Sequence, residues 1–228
     1  MVGAAAERAG FICYTILGGA MFITFEGIEG CGKTTQIHRL AAALVAAGRK
    51  LVKTREPGGS PVGSQIRRIL LADEYPLSPA AELFLYGAER AEHVEKIIRP
   101  ALARGEWVLC DRYGDATRAY QAFGRGLSRE SVEAVHSMAT GGLEPDLTFY
   151  LRVPVELALA RARRRNEEGP KGEGRFEAEA MAFHERVAGG YEALTAEFPG
   201  RILPVDATGT PDAVAARIFS ALEERLGR

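Results

Sequence analysis

The sequence predicts an α/β domain in three layers, in which a mainly parallel sheet of five strands is flanked by helices. Short apolar runs alternate along the chain with longer helix-like segments, and a glycine-rich loop follows the first apolar run. Strands that alternate with helices indicate βαβ units, which build parallel sheets. The 228 residues and the hydrophobic content of 46% suit one compact domain of this class.

Five apolar runs have the composition of buried strands. They cover residues 22–26, 51–54, 107–110, 147–151 and 202–205. Ligands of parallel sheets bind at the carboxyl ends of the strands. We therefore expect the chemistry at Gly27, at residues 54–56, at Asp111 with Arg112, and at Asp206.

The segments between these strands predict helices. They cover residues 33–47, 62–71, 79–104, 128–139, 154–165, 176–198 and 211–226. Gly48 is a natural end for the first helix, and Ser128 is a natural N-cap. Because proline has no backbone N–H, Pro100 is expected to interrupt the third helix.

The loop after the first strand carries the strongest signal for function. Residues 27–34 read GIEGCGKT, which matches the phosphate-loop pattern G-x-x-x-x-G-K-[ST] at every constrained position. A chance glycine-rich turn is the alternative, but a buried strand before the loop and a helix after it favour the phosphate loop. Lys33 is expected to reach the β- and γ-phosphates of a nucleoside triphosphate, and Thr34 to offer its hydroxyl to Mg²⁺. This combination predicts the P-loop NTPase fold.

Two unlike classes of protein share such a loop: GTPase-type switches, and kinases that act on a small acceptor. Residues 111–114 read DRYG, which matches the D-x-x-G element of a switch. The guanine-reading element N-K-x-D is missing, because the only asparagine is Asn166 and two glutamates follow it. The sequence therefore favours a kinase. A nucleotide-binding regulator without turnover remains the rival hypothesis, and nucleotide-dependent consumption of ATP would separate the two.

Composition limits the surroundings and partners of the protein. The formal net charge of −1 argues against binding to a nucleic acid polymer, and no apolar run is long enough for a membrane helix. Three cysteines are too few and odd in number for a disulfide framework, which favours a reducing, cytoplasmic location. Residues 1–20 precede a second methionine, Met21, and are predicted to be a poorly ordered extension rather than a signal peptide. A single kinase domain is predicted over residues 21–228.

Further motifs follow the strands in order. They read TREPGGS at 54–60, LFLYGAERAEH at 83–93, DRYGDATRAYQAFGRG at 111–126 and GRFE at 174–177. In this combination the sequence resembles the thymidylate kinase family over nearly all of residues 21–228. The resemblance implies ATP-dependent phosphorylation of dTMP to dTDP with Mg²⁺. Another nucleoside or nucleoside-monophosphate kinase of the same fold, with a different base, is the runner-up.

The resemblance also implies roles for residues of the donor site. The residues expected to bind ATP are Gly27, Ile28, Glu29, Gly30, Cys31, Gly32, Lys33, Thr34 and Thr35. Thr34 and Asp111 are expected to hold Mg²⁺, largely through water. Lys33 and Arg112 are expected to be catalytic, because they neutralise charge on the phosphoryl group that moves.

The acceptor site is implied in the same way. The residues expected to bind dTMP are Glu29, Glu56, Arg67, Tyr86, Arg90, Arg112, Thr117, Tyr120 and Gln121. The resemblance implies that Tyr86 stacks on the pyrimidine and that Arg90, one helical turn away, donates to a base carbonyl. It also implies that Arg112 and Arg67 bind the phosphate, and that Tyr120 selects deoxyribose by leaving no room for a 2′-hydroxyl.

The charged, glycine-rich segment 161–177 falls where the family has a lid over the triphosphate. Gly30 stands where one subclass carries an arginine in the phosphate loop, so the chain is similar to the bacterial subclass, whose lid supplies the basic residue. Arg165 and Arg175 are the candidates for that catalytic role. The resemblance implies a homodimer as well.

Overall fold

The computed structural model describes residues 19–72, 74, 76–168, 176 and 179–227, and it contains a five-stranded parallel sheet. The strands are β1 (Phe22–Glu26), β2 (Leu51–Arg55), β3 (Trp107–Asp111), β4 (Leu147–Arg152) and β5 (Ile202–Asp206). Their order across the sheet is β2-β3-β1-β4-β5, and every neighbouring pair is parallel. The predicted fold class is confirmed.

Helices flank the sheet in the described part of the chain. They are α1 (Lys33–Ala46), α2 (Pro61–Leu71), α3 (Pro79–His93), α4 (Arg99–Ala103), α5 (Gly114–Thr117), α6 (Arg129–Thr140), α7 (Val155–Glu168), α8 (Met181–Glu197) and α9 (Pro211–Leu226). Helices α2, α3, α6 and α9 begin at hydroxyl N-caps, whose side-chain oxygen accepts a backbone N–H of the first turn. The N-cap predicted at Ser128 is among them.

The long helix predicted over 79–104 is interrupted earlier than expected. A π-helical turn over Val94–Ile98 joins α3 to α4, and Pro100 lies in the first turn of α4. The ring of a proline clashes with the carbonyl four residues earlier, here that of Lys96. The wider turn therefore falls before the proline rather than at it.

Two other boundaries differ from the prediction. The segment after Arg112 is helical, with α5 followed by a π-helical turn over Arg118–Gly124. The sequence does not predict this helix, because glycine has a low helix propensity. Helix α8 begins at Met181 rather than at residue 176, because Phe176 lies in a turn where its buried ring packs edge-on against Tyr120.

The central strand β1 separates two apolar layers. Ile23 and Phe25 face the larger core, and Phe22 faces a smaller one. All five residues of β1 are buried. A charged residue at the end of this strand is therefore carried into the interior, directly before the phosphate loop.

The predicted extension lies mostly outside the described residues. Gly19 is described, and its carbonyl accepts a hydrogen bond of 3.2 Å from the Trp107 indole nitrogen. Within the described ranges, no helix has the length and apolarity needed to cross a membrane.

Candidate active site

The loop between β1 and α1 depends on glycine for its shape. Gly27, Gly30 and Gly32 have φ angles of 135°, 78° and 100°, a region in which residues with a Cβ are strained. Gly32 is the N-cap of α1, so the free amides of the first helical turn face the loop. A Cβ on Gly30 would lie 2.0 Å from the carbonyl oxygen of Ala158 on α7. The loop is therefore both curved and packed closely against a neighbouring helix.

Lys33 lies at the start of α1 and turns its buried side chain back over the loop. Its Nζ donates to the carbonyl oxygens of Gly27 at 3.0 Å and Ile28 at 3.1 Å. The Cys31 sulfur lies 3.6 Å from the same nitrogen. The ammonium is thus held where a phosphate in the loop would meet it.

Thr34 and Asp111, predicted as magnesium ligands, are brought together although they are far apart in sequence. The Thr34 hydroxyl donates to Asp111 Oδ2 at 2.9 Å. Because β3 is the neighbour of β1, Asp111 reaches the same edge of the sheet as the phosphate loop. Hydroxyl and carboxylate oxygens are the hard ligands that Mg²⁺ prefers, so these residues fit the ion.

Arg112 is the centre of a cluster beside the phosphate loop. It has a φ of 73°, which is rare for a residue with a side chain. Its Nη2 donates to Glu29 Oε1 at 2.6 Å and to the Tyr120 hydroxyl at 3.1 Å. The guanidinium carbon lies 4.9 Å from the centre of the Tyr120 ring. Two sequence motifs that are far apart in the chain, residues 27–34 and 111–126, therefore meet here.

Glu29 is ionised in this cluster. Burial alone would raise the pKa of its carboxyl, but the charges of Arg112 and Lys33 lower the pKa below its ordinary value. The Tyr120 hydroxyl donates to Glu29 Oε2 at 2.6 Å. Burial raises the pKa of Tyr120, which keeps this donor protonated. Two cations, Arg112 and Lys33, therefore act on the carboxylate of Glu29.

Two further residues reach this cluster, Glu26 and Tyr191, and no sequence motif predicts a role for either. The Tyr191 hydroxyl donates to Glu26 Oε2 at 2.8 Å, and Arg112 Nη1 donates to the same hydroxyl at 3.3 Å. The signal available for Glu26 was a charged residue that ends an otherwise apolar strand. Tyr191 lies within α8, and no motif marked it.

Arg90 is buried in a second cluster, close to residues predicted to share its site. Its Nε donates to Glu56 Oε2 at 2.8 Å, and its Nη2 donates to Thr117 Oγ1 at 2.9 Å and to the Tyr113 carbonyl at 3.1 Å. His93 lies 2.9 Å from the other oxygen of Glu56. Both oxygens of Glu56 are thus engaged, so this carboxylate holds Arg90 in place.

The loop 56–60, between β2 and α2, is held against α3 by hydrogen bonds. Glu89 Oε1 accepts from the amides of Gly58 at 2.8 Å and Gly59 at 3.2 Å. Burial and the charge of Glu56 raise the pKa of Glu89 to about 7. Arg67, on α2, donates to the Pro57 carbonyl at 3.0 Å. The predicted phosphate-binding arginine is therefore held against the same loop.

The remaining predicted residues lie at the margins of these clusters or outside the description. Gln121 is buried and donates to Glu82 at 2.7 Å rather than to Glu29 or Arg112. Tyr86 is partly buried against the larger core, and Thr35 is exposed on α1. The side chain of Arg165 and the whole of Arg175 lie outside the described residues.

A glycine loop that curls around a buried lysine, at the carboxyl edge of a parallel sheet, defines the class of protein. It is a P-loop protein that binds a nucleoside triphosphate. The guanidinium of Arg112 beside the loop is of the type that binds phosphate oxygens, which a kinase with a phosphorylated acceptor needs.

Comparison with known proteins identifies the family. The family model for thymidylate kinase matches residues 25–218. The chain is 56% identical over 209 residues to the thymidylate kinase of Trichlorobacter lovleyi, with 90% of this chain and 98% of that one covered. It is 51% identical over 208 residues to the thymidylate kinase of Geobacter sp. strain M21, with 90% and 92% covered. The crystal structure of thymidylate kinase from Ehrlichia chaffeensis matches with a TM-score of 0.73 and 30% identity, covering 90% of this chain and 100% of that one.

The chain belongs to the thymidylate kinase family. It is a nucleoside monophosphate kinase, which phosphorylates dTMP to dTDP with ATP as the phosphoryl donor. The resemblance stated from the sequence is confirmed, and so are the reaction and the enzyme class.

Proposed function

We propose that this chain carries out the reaction between two adjoining subsites: ATP lies with its triphosphate in loop 27–35, and dTMP lies with its phosphate at Arg112. The observation that carries the proposal is the contact of Arg112 with Glu29, which joins the acceptor cluster to the phosphate loop. An oxygen of the dTMP phosphate attacks the γ-phosphorus in line. The bond from that phosphorus to the bridging oxygen breaks, and ADP leaves.

Charge neutralisation is the main task of the protein in such a transfer. Lys33 lies on the donor side and Arg112 on the acceptor side, so the group that moves passes between two fixed cations. The acceptor is a phosphate that is already ionised, so no strong general base is needed. The guanidinium of Arg112 matches phosphate oxygens in a bidentate manner.

The second cluster supports the proposed recognition of the base. Among the described residues, the hydrogen bonds of Arg90 come from Nε and Nη2, which leaves Nη1 to donate to a base carbonyl. Tyr86 lies one helical turn before Arg90 on α3, where its ring can stack on the pyrimidine. Thr117 is fixed next to Arg90 and supplies a hydroxyl. Tyr120 would lie beneath the sugar, and Glu29 near its 3′-hydroxyl.

Thr34 and Asp111 are proposed to hold Mg²⁺, largely through water. When bound, the ion would neutralise charge on the β- and γ-phosphates. The support from the fold is the approach of the two side-chain oxygens to 2.9 Å at the mouth of the phosphate loop.

The segment 161–177 is proposed to act as the lid, with Arg165 or Arg175 over the triphosphate. The support is that α7, whose second half forms the start of this segment, packs against the phosphate loop where Gly30 approaches Ala158. Arg161, at the start of the segment, donates to the carbonyl of Ala207 in the loop after β5, at 3.3 Å.

A homodimer and a cytoplasmic location complete the proposal. Helix α3 packs between α2 and α6, and these three helices carry exposed large apolar side chains. They are Val62, Ile69, Phe84 and Met138. Apolar side chains of this size on adjacent helices suit contact with a second copy of the chain.

Measuring ADP release with ATP, Mg²⁺ and a panel of nucleotides tests the acceptor assignment. The panel contains dTMP, dUMP, dCMP, dGMP and the ribonucleotide analogue of dTMP. We expect a strong preference for dTMP. A preference for another monophosphate would overturn the assignment of the base, and well-folded protein without acceptor-dependent turnover would favour the regulator hypothesis.

Replacing Arg112 tests the role of this residue directly. We expect Arg112→Ala to lower kcat by at least ~100-fold, the scale of losing an electrostatic contact in the transition state. Arg129→Ala is the matched control, because Arg129 is a half-exposed arginine paired with Glu197 on the surface. Near-normal kcat for Arg112→Ala would remove the assigned role.

A further inference from the structure

A chain of hydrogen bonds runs from the end of β1 to Arg112 through α8. Glu26 Oε2 accepts from the Tyr191 hydroxyl at 2.8 Å, and that hydroxyl accepts from Arg112 Nη1 at 3.3 Å. Glu26 and Tyr191 are 0% and 1% exposed. We propose that Glu26 and Tyr191 are positioning residues, which together aim the Arg112 guanidinium at the phosphate of dTMP. This inference rests on the proposed role of Arg112.

Glu26 also holds the backbone that carries Arg112. Its second oxygen, Oε1, accepts from the amides of Tyr113 at 2.7 Å and Ala116 at 3.3 Å. Tyr113 directly follows Arg112, whose φ of 73° is unfavourable for a residue with a Cβ, and Ala116 lies in the next helical turn. Such a conformation persists only where the surroundings enforce it. One carboxylate therefore acts on Arg112 through the backbone and through the side chain.

Tyr191 transmits the effect because its own orientation is fixed. Its ring stacks on Tyr150 with centres 5.0 Å apart and planes at 18°. A phenol has one proton to donate and lone pairs with which to accept. As long as Tyr191 donates to Glu26, its oxygen is free to accept from Arg112. The geometry around Arg112 therefore requires an ionised Glu26.

The groups that face Glu26 place its ionisation in the physiological range. Burial and the charge of Asp115 on α5 raise the pKa of Glu26 to about 7. The charge of Arg112 and the hydrogen bond from Tyr191 lower the pKa but do not cancel this rise. Cys110 on β3 adds no charge, because burial raises the pKa of its thiol. A proton on Glu26 would go to Oε2, since Oε1 accepts two amides. The carboxyl would then donate to Tyr191, and the phenol proton would be turned towards the guanidinium.

Three variants test the proposal: Tyr191→Phe, Glu26→Gln and the double variant. We expect each single variant to lower kcat about tenfold or more, because small misplacements of a catalytic group have effects of this size. The KM for ATP should stay within about twofold, since the phosphate loop is unchanged. The double variant should lose no more than the worse single one, because both changes break the same chain of contacts.

The dependence of kcat on pH separates positioning from a merely structural role. In the wild type, kcat should fall as the pH falls through about 7, in addition to the loss from the second ionisation of a phosphate near about pH 6. Glu26→Gln should retain only the latter. Tyr150→Phe is the matched control, because it removes a hydroxyl from the stacked ring that does not belong to the chain. Its kcat and pH profile should match those of the wild type.

Several results would overturn the proposal. They are a wild-type kcat in Tyr191→Phe, losses that multiply in the double variant, or a wild-type pH profile in Glu26→Gln. If Glu26→Gln unfolds, Tyr191→Phe still decides, because it removes one hydroxyl and keeps the ring. A near-normal kcat for Arg112→Ala would instead refute the proposed function of Arg112, so the two failures are distinguishable.

Discussion

At the scale of single residues, the site concentrates unfavourable conformations and buried charges. The left-handed conformation of Arg112 costs on the order of 1–2 kcal/mol for a residue with a Cβ. Its amide donates to the Phe25 carbonyl at 3.0 Å, and its side chain is held by Glu29, Tyr120 and Tyr191. These contacts fix the orientation of the guanidinium. The strain is thus used to fix a cation in front of the phosphate loop.

Glu89 provides a test of buried charge that does not involve catalysis. Its pKa is raised from an ordinary 4.5 to about 7, because it is buried near Glu56, with His93 and Arg90 acting in the opposite direction. Because the pKa is raised on folding, the folded state favours the protonated carboxyl. The resulting contribution to the free energy of unfolding is fully present below about pH 4.5 and is lost as the pH rises through about 7. Since one pKa unit corresponds to about 1.4 kcal/mol, the loss is on the order of 3 kcal/mol.

We therefore expect Glu89→Gln to reduce the dependence of stability on pH. The free energy of unfolding in urea should fall by about 1–3 kcal/mol more for the wild type than for the variant between about pH 5 and pH 8. Glu224→Gln, at an exposed position on α9, serves as the control and should follow the wild type. Parallel curves for wild type and Glu89→Gln would mean that Glu89 stays ionised throughout.

At the scale of secondary structure elements, the phosphate loop is shaped by a helix that is not its neighbour in sequence. Gly30 lies against the backbone of α7, where an added Cβ would be 2.9 Å from the Ala158 carbonyl carbon and 3.0 Å from the Ala162 nitrogen. Backbone atoms of a helix do not move aside as a flexible side chain does. Close approach, as well as curvature, explains the glycine at this position.

Gly30→Ala is expected to damage ATP binding through this contact. The KM for ATP should rise at least about tenfold, which corresponds to a loss of about 1.4 kcal/mol. Gly142→Ala is the control, because Gly142 has the same φ of 78° with no atom within 4 Å of the added Cβ. It should lose some stability through backbone strain and keep its KM. Equal effects on KM would show that packing against α7 is unimportant.

At the scale of the whole molecule, the exposed apolar side chains on α2, α3 and α6 predict association of two chains. Phe84 and Met138 are 64% and 88% exposed. Phe84→Glu is expected to shift the protein from dimer to monomer, because it places a charge in an interface that excludes water. Analytical ultracentrifugation measures the change in mass.

The control for this experiment is Val45→Glu. Val45 is 59% exposed on α1, away from the three helices, so its replacement should leave the dimer intact. A wild type that sediments as a monomer would contradict the proposed assembly. Dissociation by both variants would indicate a general loss of stability rather than an interface at α3.

Local sequence patterns predicted most of the helices and strands. Tertiary contacts explain the helices whose bounds these patterns did not predict. The apolar runs placed the five strands correctly, and the segments between them placed most helix starts within a residue, because both patterns depend on nearby residues. The helical segment after Arg112 was missed because its glycines have low helix propensity. It forms nonetheless, since Glu26 accepts the amides of Tyr113 and Ala116 at its start.

The sequence by itself determined the fold class, the phosphate loop and the family, because these follow from strand–helix alternation and from short motifs of fixed spacing. Only the tertiary structure revealed that Glu26 and Tyr191, 165 residues apart, meet beneath Arg112, and that Gly30 packs on α7. A hydrogen bond between distant residues leaves no periodic trace in a single sequence. The packing of helices decides both contacts, because it places Tyr191 of α8 at the carboxyl end of β1 and the backbone of α7 against the phosphate loop.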